Sequence, residues 1–164
     1  MEILKVDGKL DMKKLALSVA VPVIGGSIVG MLTSKSSKEQ FKKLKKPGFA
    51  PPQATFPIAW TSLYAVMGVA RYRAGQARTN EGRSGSFASY DVQLGLNFLW
   101  SFLFFKWGLR GTALAEMTAL LGAIILSMAE FRREDRTAGA LMIPYVAWVI
   151  YALALNASIW EKNK

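Results

Sequence analysis

The side chains of this chain that can do chemistry are few, and they are spaced for helices. Gln93, Asn97 and Ser101 stand at i, i+4 and i+8, one face of a helix, with Trp100 and Phe104 flanking them. Tyr145, Trp148, Ala152 and Leu155 follow i, i+3, i+7 and i+10, with Asn156 one residue round. Phe56, Trp60, Tyr64 and Met67 follow i, i+4, i+8 and i+11. Amides in an apolar setting orient polar edges, and indole and phenol rings stack on flat apolar surfaces. Two readings share this pattern. In one, amides and rings hold helices together. In the other, three stripes converge on a cavity for a flat hydrophobic ligand.

Much other chemistry is excluded. The chain has no cysteine and no histidine. Disulfides, thiolate metal sites, cysteine nucleophiles and imidazole acid–base catalysis go together. An enzyme built here works with carboxylates, lysine, tyrosine or tryptophan. No catalytic residue and no metal site stands out, and no cofactor is required. Glu116 is the one charge in its apolar run. It reads as an interfacial residue, a partner for an arginine, or a proton-linked group.

These stripes need elements to position them. Hydrophobic residues make up 52% of the chain and charged residues 20%, which excludes a highly charged disordered chain. The charges lie in clusters between long uncharged runs. The runs predict an all-α membrane protein, a bundle of five transmembrane helices, with spans at about 15–33, 54–71, 90–108, 111–130 and 137–160. Residues 1–14 form an N-terminal polar segment and 161–164 a short tail, with one transmembrane domain between. A signal peptide is a poorer reading of the first run, which is too long for an h-region. Gly75 to Ser86 reads as a Gly/Ser-rich loop. Pro144 predicts a kink before Tyr145 and Trp148. Gly26 and Gly30 form a GxxxG that permits close helix approach, and Gly95 suggests a homodimer contact through the third span.

The net charge is +10. Lysines and arginines flank the apolar runs, so lipid headgroups are their partners rather than nucleic acid. Eleven of them fall on the side of the N-terminus and ten on the other, so the positive-inside rule does not orient the chain. The densest cluster is "KKLKKPGFAPP", Lys42 to Pro52, whose prolines disfavour helix and stiffen the approach to the second span.

Taken in order, "LKKPGFAPP", "FPIAWTSLYAVMG", "QLGLNFLWSFLFF", "GTALAE" and "PYVAWVIYALALNASIW" resemble the TspO/MBR family, the tryptophan-rich sensory proteins also called translocator proteins or peripheral-type benzodiazepine receptors. The resemblance covers Leu44 to Trp160. It implies a five-helix membrane bundle that binds porphyrins, such as protoporphyrin IX and haem, in a pocket closed by the loop after the first helix. By motif, Trp60, Asn97, Trp100, Trp148, Ala152 and Leu155 take pocket positions. Tyr64 and Phe104 extend the same stripes. Phe41, Pro47, Phe49, Pro51 and Pro52 form the expected lid. The chain departs from the family at Gln40-Phe41 (usually Trp-Tyr), Phe49 (Trp), Phe102 (Pro) and Glu116 (Asp). Sterol is a further ligand class in animal members, although Tyr151 lies too far from Lys162 for the sterol pattern here. The resemblance implies a receptor, sensor or carrier. The alternatives are a light- and oxygen-dependent porphyrin-degrading activity using Trp60, Trp100 and Trp148, and a structural or partner-binding membrane protein.

Overall fold

The computed structural model describes residues 1–83 and 87–164. Among these, helices are the main elements, and one isolated antiparallel bridge pairs Val6 with Lys9. Helix α1 is Met12–Lys43, α2 Thr55–Asn80, α3 Ala88–Ser101, α4 Arg110–Glu134, α5 Arg136–Leu141 and α6 Ile143–Asn163. Helix α3 continues into a π-helical turn, Phe102–Lys106. Helices α5 and α6 form one rod interrupted at Met142, so the architecture is the expected bundle of five rods. Three of these rods, α1, α4 and Arg136–Asn163, are long and apolar enough to cross a membrane. The protein is an integral membrane protein.

Helix α1 starts where Asp11 accepts a hydrogen bond from the Lys14 amide at 3.1 Å. It runs for 32 residues, well past the apolar stretch that ends at Thr33. Hydropathy marks where lipid ends, not where the helix does. The lysines and serines after Thr33 tolerate helix, and the first breaker is Pro47. Lys42 and Lys43 sit in the last turn, where the helix dipole favours cations. Phe41 therefore belongs to a helix, not to a loop.

Helix α2 also outruns its apolar run. The expected loop from Gly75 to Ser86 is helical as far as Asn80, and Ser84 to Ser86 lie outside the described residues. Packing overrides the composition here. Ala74, Gln76 and Ala77 are buried, and a Cβ on Gly75 would stand 2.7 Å from Arg71 Nη1. The helix stops before Gly82, whose φ of +73° suits glycine.

Helix α4 is the central rod, touching α2, α3, α5 and α6. Its Met117, Leu120, Ile124 and Phe131 are fully buried. Helix α1 lies outside, against α2, with Leu17, Val21, Ile24 and Ile28 turned outward as a lipid face. The backbones of α1 and α2 come close at Gly68, where a Cβ would meet Ser18 O and Val19 Cα at 2.6 Å. The GxxxG pair does something else. Gly26 leaves room for the Tyr64 ring, and Gly30 faces open space.

The Pro144 kink takes the form of a break. The Met142 amide donates back three residues to Gly139 O at 3.1 Å, and α6 restarts with Pro144 in its first turn. The N-terminal polar segment is tied down. Arg73 donates to Ile3 O and, at 2.8 Å, to Lys5 O, while the Asp11 amide donates to Tyr72 Oη at 2.9 Å.

Candidate ligand cavity

A cavity of about 480 Å³ opens between α1, α2, the α3 end, α6 and the loop after α1. Trp60, Tyr64, Trp100, Phe104, Trp148, Ala152 and Leu155 line it, so the three stripes do converge. Rings form its wall in sequence. Trp60 stacks on Tyr64 at 5.9 Å, meets Trp148 edge-on at 6.2 Å, and Trp148 meets Phe56 at 6.3 Å. Phe41 closes this arc against Phe56 at 6.2 Å. On the far side Trp100 stacks on Phe104 at 5.1 Å. The π turn that begins at Phe102 widens the helix there, and Phe104 and Phe105 both reach the cavity.

Asn97 is the exception among the expected ligand residues. It does not line the cavity but lies beneath it, and both ends of its amide are taken. The Tyr64 hydroxyl donates to Asn97 Oδ1 at 2.6 Å, and Asn97 Nδ2 donates to Tyr145 Oη at 2.6 Å. Tyr145 in turn donates to Gln93 Oε1 at 2.8 Å. All four residues are buried. This chain of bonds joins α2, α3 and α6 and makes a polar floor. In lipid no water can replace a lost bond, so a closed network is the stable arrangement.

A second bond fixes the far wall. Trp100 Nε1 donates to Asn156 Oδ1 at 2.9 Å, and Asn156 Nδ2 donates to Arg110 O at 3.3 Å. Trp100 therefore presents its ring, not its N–H. Trp148 differs: its Nε1 is buried without a partner among the described residues. Glu116 likewise has no arginine partner among the described residues. Both its carboxyl oxygens are buried without a hydrogen-bond partner among those residues, away from the cavity.

The loop after α1 is fastened to α6. Tyr151 Oη donates to Phe49 O at 2.7 Å, and the two rings meet edge-on at 6.1 Å. Further along, the Lys45 amide donates to Asn163 Oδ1 at 3.0 Å while Asn163 Nδ2 donates to Lys45 O at 2.9 Å. Pro47 accepts from the Ala50 amide at 3.1 Å, closing a turn through Gly48. Pro47, Phe49, Pro51 and Pro52 shape this loop without lining the cavity. Of the expected lid residues only Phe41 reaches it. Lys46 folds over the Phe41 ring, 4.4 Å from its centroid, and also lines the cavity.

The residues missed from sequence are mostly on α1. Gly26, Gly30, Thr33 and Ser37 line the cavity at i, i+4, i+7 and i+11, and Lys38 stands at the mouth. The signal was present as a stripe of small and hydroxyl residues in an otherwise apolar run. Its hydroxyls carry no visible chemistry, because the helix absorbs them: Ser27 donates to Val23 O and Thr33 to Val29 O. Lys38 is exposed and has no ion-pair partner among the described residues.

Comparison with known proteins agrees with the fold. The model of the TspO/MBR family matches residues 18–161. The tryptophan-rich protein TspO of Archaeoglobus fulgidus is 34% identical over 157 residues, covering 94% of this chain and 99% of that protein. The tryptophan-rich sensory protein of Cereibacter sphaeroides is 38% identical over 76% of this chain and 77% of its own length. The translocator protein of Sus scrofa is 28% identical over 88% of this chain and 86% of its own length. A ring-lined cavity inside a five-rod membrane bundle, matched across nearly its whole length, shows that the chain belongs to the TspO/MBR family.

Proposed function

We propose that this membrane protein binds a flat, acidic, ring-conjugated molecule of the porphyrin class, with protoporphyrin IX as the simplest probe. The observation that carries this reading is the ring arc Phe41–Phe56–Trp148–Trp60–Tyr64, which walls one cavity with the exposed Lys38 on its lining. Stacking and apolar contact supply most of the affinity. Lys38 suits a propionate, as a charge-assisted contact at the wet end. The loop fastened to α6 adds Lys46, Ala50 and Gln53 to the wall.

Titration with the free acid and with its dimethyl ester tests this reading. The acid binds more tightly to the wild-type protein, and Lys38→Gln brings the acid down to the level of the ester. Equal binding of acid and ester to the wild-type protein removes the role of Lys38. Absence of saturable binding by either removes the reading.

A further inference from the structure

We infer that the groove where α4 meets α5 is a binding site for an anionic phospholipid, with Arg132 and Arg136 on its phosphate. The groove has a volume of about 290 Å³ and is lined by Met128, Arg132, Arg136, Gly139, Ala140 and Ile143. It is separate from the ring-lined cavity and shares no lining residue with it.

The charge balance of this corner points to an anion. Its carboxylates are all engaged elsewhere. Asp135 holds Arg73 through Nε at 2.6 Å and caps α5 by accepting from the Ala138 amide at 3.0 Å. Glu134 holds Arg78 at 2.9 Å and Arg83 at 2.6 Å. Glu130 accepts from Ser89 at 2.6 Å and pairs with Arg78 at 3.4 Å. Arg132 and Arg136 are exposed and have no carboxylate partner among the described residues. Two forked cations left over on one groove fit a phosphodiester, which each guanidinium can hold by paired hydrogen bonds.

The packing makes the two arginines neighbours. Helix α5 lies so close on α4 that a Cβ on Gly139 would stand 2.6 Å from Arg132 Cβ. This brings Arg136, at the start of α5, and Arg132, in the last turn of α4, to the same groove. Below them the groove is apolar. Met128 lies one turn down α4, and Ile143 is 57% exposed at the start of α6. The exposed Ile125, two turns before Arg132 on the same face of α4, continues the apolar surface toward the membrane interior. A free phosphate would use the arginines alone. A phospholipid uses both parts, headgroup above and glycerol and acyl chain below, at the depth where headgroups lie.

Full-length protein in neutral detergent tests this, by native mass spectrometry with equimolar phosphatidylglycerol and phosphatidylcholine. The wild type retains phosphatidylglycerol in preference. Losing a basic residue at a headgroup costs roughly fivefold in affinity, so the double variant Arg132→Gln, Arg136→Gln loses the preference. Ala140→Phe fills the groove with both charges intact and also loses bound lipid. Arg133→Gln, which removes a nearby charge that does not line the groove, keeps the preference. Any of three results overturns the inference. The double variant or Ala140→Phe retains phosphatidylglycerol as the wild type does. Arg133→Gln loses it equally. Or inorganic phosphate raises the unfolding temperature as much as phosphatidylglycerol does, which marks a site for free anions.

Discussion

The Tyr64 hydroxyl donates to Asn97 Oδ1 at 2.6 Å, and this bond divides the cavity from the floor beneath it. Above it Tyr64 lines the cavity, stacked on Trp60. Below it Asn97 links Tyr64 to Tyr145. The same bond explains why Asn97 is not available to a ligand.

Asn97→Leu leaves the Tyr64 and Tyr145 hydroxyls each short of a partner. An unpaired buried polar group costs about 1–3 kcal/mol. The variant is therefore expected to unfold at clearly lower temperature in detergent than the wild type. Its affinity for protoporphyrin IX falls less than that of Trp60→Ala, because only Trp60 faces the cavity. Thermal unfolding and a binding titration on the same preparations check both parts.

Gly26→Ala places a methyl 2.1 Å from Tyr64 Cε2, inside the ring's own volume. The Tyr64 ring must swing away and drag its bond to Asn97. Overpacking of this kind costs about 1–3 kcal/mol. Gly30→Ala, one turn further along α1, meets nothing within 4 Å and is expected to leave the unfolding temperature near that of the wild type. The contrast in unfolding temperature checks the placement of α1 against α2, since both changes are the same in chemistry and helix propensity.

The loop after α1 is pinned where Asn163 exchanges two hydrogen bonds with Lys45. Asn163 lies outside the cavity lining, so Asn163→Ala loosens the loop without touching the ligand. Each exposed bond is worth about 0.5–1.5 kcal/mol. Ligand release, followed by stopped-flow fluorescence, is expected to speed up by roughly threefold to tenfold, with a smaller change in the association rate.

Glu134 lies beyond the apolar run of α4. Burial pushes its carboxyl up, but the hydrogen bonds from Arg78 and Arg83 outweigh this and hold it below the usual carboxylate range. A folded-state value below the unfolded one stabilises the protein above the unfolded value. That stability is lost as pH falls through the ordinary carboxylate value toward the lower folded one. Unfolding temperature measured from about pH 7 down to about pH 3 is expected to drop in that acid window. In Glu134→Gln the drop is smaller, and the starting stability is lower.

The sequence made the five rods and three converging stripes readable because lipid imposes uninterrupted apolar runs and helices impose a fixed period. It misplaced Asn97 because period alone tells which face a residue shares, not whether that face meets a cavity or a neighbouring helix. Phe41 reads as loop because the resemblance groups it with the lid prolines, while the helix continues to Lys43. Gly75 to Ser86 reads as loop because glycine and polar residues dominate, while α2 runs on to Asn80 with Arg71 packed against Gly75. The α1 lining is hidden in the sequence because small and hydroxyl residues in an apolar run suit close helix packing as well as a cavity wall.

The central claim is that a porphyrin occupies the cavity walled by Trp60, Trp148 and Tyr64. Quenching of tryptophan fluorescence by protoporphyrin IX, titrated in detergent against wild type, Trp60→Ala and Asn97→Leu, tests it most directly. Saturable quenching is expected in the wild type, with affinity at least about tenfold weaker in Trp60→Ala, since loss of one aromatic stacking partner of the ligand is worth about 1 kcal/mol beyond its buried area. Asn97→Leu is expected to stay closer to the wild type than Trp60→Ala does. Quenching that never saturates, or that is the same in Trp60→Ala as in the wild type, contradicts it.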